Sequence, residues 1–509
     1  MATEIYLTTK GEDIAPELWE QIYRESLVLL ENFPAALTWR DVQEVRGENR
    51  YVYTPEIVCE LDTPDEHWTV GGDLSSRQEA EEFDLYRYHS RQFPNADRDR
   101  ERSDGRDVLW VPPDDKFNDI HGNGREIWYY KTQGRPYHFP MLAVGMLVES
   151  RCPRAAYVIG DIDRRQAEQA AAWANTLLEE PIDLPVCVDP DRLYLRAFEM
   201  YGDARPAYRR FVVLFRGAED EVWPTIVRHT DPSSARGCLA ESLRMLYGSG
   251  AADDAIRYLK ATGDLAGLIE TVAEIASGDD REPGDLTLES LLHTLCDGYS
   301  VTIPPEERCL VLRIDIHVTS DELLEHFSRV APHRREQFRE TIRKSEEHAR
   351  EKSRQYEEVK DDRSWAKRFP ELAQWSANRR SSPTEERPLR TQILDDIAEQ
   401  KPYYPDAEAQ ARETGATLRE DILSTSAFEQ VPDRDALLRA LYRASYENYI
   451  MLTAPSWAKI DVLEDDDVLR HLLALASNQK WEMDFCDWRR YLLEEPRLWP
   501  ALTGEGVRK

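Results

Sequence analysis

Apolar and polar positions change rhythm along this chain, and the changes divide it. Through about residue 220, short apolar runs bounded by turn residues alternate with charged stretches of helical spacing. That pattern predicts strands and helices in turn, and hence an α/β layer. Glu4 to Thr8 reads as a strand. Pro16 to Phe33 reads as a helix with Leu18, Ile22, Leu29 and Leu30 along one stripe, and a proline suits the first helical turn. Residues 51–58 have strand character. Met141 to Glu149 predicts a buried helix, Ala155 to Ile159 a strand, Arg164 to Glu179 an Ala-rich helix, and Leu184 to Val188 another strand, with Asp189 opening the next helix. Arg209 to Phe215 carries an unbroken apolar run, which predicts a strand covered on both faces.

One junction occurs twice. Gly72-Asp73-Leu74-Ser75-Ser76-Arg77-Gln78 is echoed by Gly160-Asp161-Ile162-Asp163-Arg164-Arg165-Gln166. Each copy follows an apolar run and precedes a charged stretch, so each predicts strand, tight Gly-Asp turn, helix. In the first copy Ser75 or Ser76 would cap the helix, with Glu79 and Glu82 in its first turns. Between about 93 and 125 the chain is rich in Pro, Asp, Arg and Gly. That stretch predicts an irregular insertion, and loops of such length are usually functional or disordered.

Beyond residue 220 helical spacing dominates. Ala240 to Tyr247, Ala251 to Lys260 and Leu265 to Ser277 predict helical hairpins, interrupted by one strand at Cys309 to His317. Asp321 to Lys367 is a long charged stretch. Its apolar residues Phe338, Ile342 and Tyr356 are too sparse for a coiled-coil seam, so a solvated or bridging helix is expected. Arg379 to Pro388 is a Ser/Pro/Arg linker. The remainder is helical and carries many aromatics, among them Tyr442, Trp457, Trp488 and Trp499, expected to be core. The predicted organisation is an α/β domain over 1–220, built as a mixed sheet with flanking helices. Helical hairpins with one strand follow over 221–330, then a charged arm and linker over 331–390, then a mainly α-helical domain over 391–509.

Composition narrows the function classes. The net charge of −32, from 97 acidic against 65 basic residues, repels nucleic-acid phosphate and anionic membrane at long range. It leaves two main readings, solubility and a docking face for a basic protein partner. Mimicry of nucleic acid would need aligned carboxylates, and those here are scattered. No run approaches the roughly 18 apolar residues of a membrane span, and the start Met-Ala-Thr-Glu lacks the features of a secretory signal. Seven scattered cysteines without a Cys-x-x-Cys pair argue against a disulfide framework or a cysteine zinc site. A cytoplasmic setting is expected, and the excess of Arg over Lys points to a GC-rich bacterial genome.

The strongest chemical candidate is the turn from Lys131 to Pro140. Lys131 offers a point charge and Arg135 a planar fork for an anion, with Tyr137 beside them. His138 could act as acid or base. The competing reading has Tyr137 and His138 plugging the end of the core, their polar atoms bonded to backbone. Asp161 and Asp163 stand where open α/β sheets place ligands. They could equally close the turn and cap the following helix. The acid run Asp461 to Asp467 lacks the pattern of a calcium loop and reads as a solvated helix start. Phosphate-loop, dinucleotide, zincin and nucleophile-elbow motifs are all absent from the sequence. No cofactor or metal is called for. A non-catalytic interaction protein, such as an adaptor, assembly factor or toxin-neutralising partner, is the first expectation. The alternative is an enzyme or small-ligand sensor using Lys131, Arg135, Tyr137 and His138 with Asp161 and Asp163.

Overall fold

Glu4–Thr9 (β1) is the central strand of the N-terminal half, and most of what positions the candidate site hangs from it. A computed structural model describes residues 3–33, 39–54, 66–73, 78–101, 105–113, 119–246, 248–277, 286–297, 309–311, 317–360, 404–420, 433–478 and 483–504. The strands after β1 are Trp39–Val45 (β2), Glu48–Thr54 (β3), His67–Asp73 (β4), Gln78–Tyr86 (β5), Arg125–Lys131 (β6), Ala156–Gly160 (β7), Cys309–Val311 (β8), His317–Thr319 (β9) and Leu452–Thr453 (β10). The three-stranded sheet runs β6-β1-β7 and is antiparallel throughout. Alternate residues such as Ile5 and Leu7 are fully buried.

The helices of the N-terminal half are Pro16–Glu31 (α1), the short His89–Gln92 (α2) and Ala96–Arg100 (α3), His138–Arg151 (α4), Arg164–Ala174 (α5), Pro190–Tyr201 (α6) and Ala204–Leu214 (α7). Beyond them come Val222–His229 (α8), Pro232–Met245 (α9), Ser249–Thr262 (α10), Leu265–Ser277 (α11), Leu288–Asp297 (α12), Ser320–Val330 (α13) and Arg335–Lys360 (α14). Helix α4 is apolar on nearly every face and packs against α1, α5 and β7. The fold class is therefore α/β with small sheets in the first half and helices in the second. No described helix is long and apolar enough to cross a membrane.

Several sequence expectations need correction. The first Gly-Asp copy does not launch a helix. Strand β4 turns back into β5, pairing Trp68 with Leu85 and Val70 with Phe83. All four of these side chains are buried. Burial at alternate positions outweighs the helix preference of the interspersed glutamates, because it removes large apolar surfaces from water. Glu79 and Glu82 thus lie in a strand, and Ser75 and Ser76 lie outside the described residues. Arg209 to Leu214 is helical, in α7, and Phe215 is the extended residue that ends it. Asp203 caps that helix by accepting from Arg205 N–H at 2.9 Å, and Ala207, Tyr208, Phe211 and Leu214 form its buried face at helical spacing. Leu184 to Val188 is not a strand but ends in a 3-10 turn at Val186–Val188. A buried carboxylate explains why no fourth strand forms there. Glu149 of α4 accepts Val158 N–H of β7 at 2.9 Å and Val186 N–H at 2.6 Å, standing between the two backbones and satisfying both donors. Burial pushes the Glu149 carboxyl above its ordinary range, against those two bonds.

Cys309 to His317 yields two short antiparallel strands, β8 and β9. The long charged stretch is divided near Pro332 into α13 and α14, and Phe338 is fully buried beside Phe327 with ring centroids 5.3 Å apart. The linker at 379–388 falls outside the described residues.

A second core gathers the helices Ala407–Leu418, Arg434–Glu447, Ala454–Asp461, Asp466–Ser477, Met483–Glu494 and Trp499–Thr503. Tyr442, Trp457, Trp488 and Trp499 are buried in it, as expected. Asp465 caps Asp466–Ser477 through Asp467 N–H at 2.8 Å, as the acid-run reading anticipated. The β2–β3 hairpin joins this core rather than the first one. Val52 is buried within it, β3 pairs with β10, and the Trp457 indole donates to Tyr51 C=O at 2.6 Å. Arg50 lies 5.1 Å from the ring centroids of both Tyr442 and Trp457 and reaches Asp461 at 3.1 Å.

Candidate functional site

The antiparallel register brings the predicted site residues to one end of the sheet. Glu4 is paired with Lys131 on β6, and Ile5 with Gly160 on β7. Asp161 then locks the strand start. Its N–H donates to Glu4 C=O and its carboxylate accepts Glu4 N–H, both at 3.0 Å. Gly160 is required at this corner. Its φ is +149°, and a Cβ there would stand 2.3 Å from Glu4 C=O. Asp163 caps α5 in a reciprocal box with Gln166, accepting Gln166 N–H at 2.7 Å. The second Gly-Asp copy is therefore a strand-turn-helix junction. Both of its acids carry structural duties and remain exposed.

The turn from 131 to 138 has a similar division of labour. Lys131 Nζ lies 3.7 Å from Glu4. Gln133 and Gly134 both take positive φ, which bends the chain from β6 into α4. The Tyr137 ring is fully buried edge-on to Phe83, and its hydroxyl donates to Glu81 C=O at 2.8 Å. That is the core-plug role. Arg135 is half-buried and bears electrostatically on Tyr137.

His138 differs. Its Nδ1 is 2.8 Å from the Thr132 hydroxyl, while Nε2 is buried with no hydrogen-bond partner. The residue is 7% exposed. Burial pushes the ring down to about 4, opposed by the carboxylates of Asp161 and Asp163. The ring is therefore neutral at pH 7, held by Thr132. The sheet end thus contains two groups, His138 with Asp161 and Asp163, and Lys131 with Glu4. Among the described residues no cluster of His, Cys, Asp or Glu is arranged to hold a metal ion.

A different concave surface follows the exposed face of α1. A cleft of about 420 Å³ on one side is lined by Glu17, Glu20, Arg87 and Asp97. A groove of about 700 Å³ on the other is lined by Glu17, Glu20, Arg24, Glu25 and Glu179. Together they present five carboxylates against two guanidiniums. Arg87 and Arg24 share the Glu20 carboxylate at 2.8 and 2.6 Å and hold it below the ordinary range. Half-exposed Val28 and Leu177 supply apolar wall. Sequence reading missed this face. Its signal was the polar complement of the apolar α1 stripe, which by itself describes any surface helix. Thr132 was missed as well, because a threonine beside a lysine carries no signal until the fold sets it against His138.

Comparison with protein-family models, curated proteins and solved structures finds no match to this chain.

Proposed function

We propose that the chain is a non-catalytic interaction protein of the bacterial cytoplasm, an adaptor, assembly factor or toxin-neutralising partner, and that the α1 face receives a basic segment of its protein partner. The observation that carries this reading is the pair of grooves sharing Glu17 and Glu20, with carboxylates in excess and an aliphatic wall in the larger groove. Lysine and arginine suit such a surface, since their stems lie on apolar wall while their heads meet acids. The net charge of −32 would speed encounter with a basic partner. Glu17 and Glu179 form no ion pair among the described residues, so they are available to a partner.

The test compares two charge-reversal variants of the full chain. E17K/D97K/E179K alters the α1 face, and E413K/E447K/E464K alters exposed acids of the C-terminal core. The probe is a fluorescent peptide of lysine and leucine. Binding at about 50 mM salt should weaken about tenfold in the first variant and less than about twofold in the second. Equal losses would remove the α1 face from the reading.

A second reading, a small-ligand or catalytic site at the sheet end, is favoured by the partnerless His138 Nε2 beside Asp161 and Asp163. It requires a ring that stays neutral near pH 7 and becomes charged only near pH 4. A ring already charged at pH 6 removes the lone pair and the reading with it.

A further inference from the structure

The cleft and the groove beside α1 meet at Glu17 and Glu20, one turn apart at the start of the helix. From that junction the groove follows Gln21, Arg24, Glu25 and Val28. These positions recur at helical spacing, so they run along one side of α1. The opposite wall, Leu177 to Glu179, lies at the C-terminal end of the helix. Arg151 Nη2 donates to Glu25 at 3.1 Å and to Glu180 C=O at 2.5 Å, and the Trp173 ring stands edge-on to Phe33 with centroids 5.5 Å apart. Glu179 therefore belongs to the Glu25 end, while Asp97, in the cleft, belongs to the Glu17 end.

Charge is spread unevenly along this line. Its middle is neutralised by the protein itself, because Glu20 accepts from Arg24 and Arg87 at 2.6 and 2.8 Å. Glu25 is likewise taken by Arg151 through two bonds of 2.9 and 3.1 Å. The ends are not neutralised. Glu17 and Glu179 are exposed and form no ion pair among the described residues. Asp97 meets only Arg100, at 3.7 Å, and its side chain is fully exposed. Each end also offers apolar wall for the stem of a long basic side chain, Pro16 and Pro94 in the cleft and Val28 and Leu177 in the groove. From Glu17 the helix rises about 12 Å to Glu25 and about 16 Å to Val28. An extended chain advances about 3.3 Å per residue, so it covers that span in about four or five residues.

We propose that the two depressions form one track for an extended, bipartite basic segment, with one basic residue at Glu17 and Asp97 and another about four or five positions away at Glu179. Neutral residues of the segment pass over the Glu20, Arg24 and Arg87 group. This rests on the reading of α1 as the partner face and adds the spacing of the partner's charges.

The test uses the full chain at about 50 mM salt, where exposed charges are weakly screened. The probes are fluorescent peptides of one composition, a pair of lysines among glycine and serine, differing only in the lysine spacing. Lysines about five positions apart should bind about tenfold more tightly than adjacent lysines, because both ends are then engaged together. E17K and E179K each remove one end. Either should erase that advantage, while the adjacent-lysine peptide, which needs one end only, weakens about twofold. Tightest binding at about ten positions, or an advantage that survives E17K, would overturn the track. Equal affinities at every spacing that E17K/D97K/E179K lowers together would overturn the track alone. Affinities that this variant leaves unchanged would overturn both the track and the α1 reading.

Discussion

Replacing His138 with Gln should change how stability depends on pH more than stability itself. The folded ring is pushed by burial from its ordinary 6.5 down to about 4. Between those values the folded chain binds fewer protons than the unfolded chain. Its contribution is therefore complete above pH 6.5 and is lost as pH falls toward 4. The full loss is about 3 kcal/mol, and about 2 kcal/mol of it has occurred by pH 5. Gln at 138 keeps a polar atom for Thr132 and has no such titration. Carboxylates elsewhere titrate in both proteins, so the informative quantity is the gap between them. Urea unfolding at pH 7, 6 and 5 can be followed by tryptophan fluorescence, because Trp68 and Trp128 share the core that holds the start of α4. H138Q should gain about 2 kcal/mol on wild type between pH 7 and 5. A gap that stays constant across this range would refute the reasoning. It would mean that the folded ring accepts a proton freely, so that Nε2 is reached by solvent or a carboxylate.

Two other perturbations test parts of the fold. Arg50 and Asp461 are separated by 411 residues and join the β2–β3 hairpin to the C-terminal core. A double-mutant cycle with R50M and D461N should give a coupling of about 1–2 kcal/mol, read by urea unfolding, and additive effects would show that the pair contributes nothing specific. Glu149 should show a pH dependence opposite to that of His138. Its folded carboxyl is pushed upward, so its stabilisation is present at low pH and lost as pH rises through the folded value. The Tm of E149Q should therefore improve relative to wild type from pH 5 to pH 8, and a flat difference would count against a buried charged carboxylate at this position.

Elements whose burial is set by near neighbours in the chain were legible. Helix α1 was readable because Ile22, Leu29 and Leu30 fall on one stripe and Pro16 opens it. Helix α4 was readable because Met141 to Val148 has almost no polar interruption, although its full length from His138 needed the turn geometry. Errors came where a distant partner decided the outcome. Phe211 to Phe215 looks like a buried strand in isolation. A helix satisfies it because the face of Ala204, Tyr208 and Phe211 has packing partners on α6 and α9, with Tyr194 edge-on to Phe211. Leu184 to Val188 had strand composition, yet Glu149 occupies the hydrogen-bonding edge it would have used.

The twin Gly-Asp junctions show the same point within a single motif. Asp161 becomes a corner because β1 lies beside it and offers Glu4 N–H and C=O to its own backbone and carboxylate. Strand β4 has β5 for its partner instead, so the same dipeptide ends a hairpin arm, with Asp73 opposite Gln78. The local residues set which conformations are cheap, and the neighbouring strand selects among them.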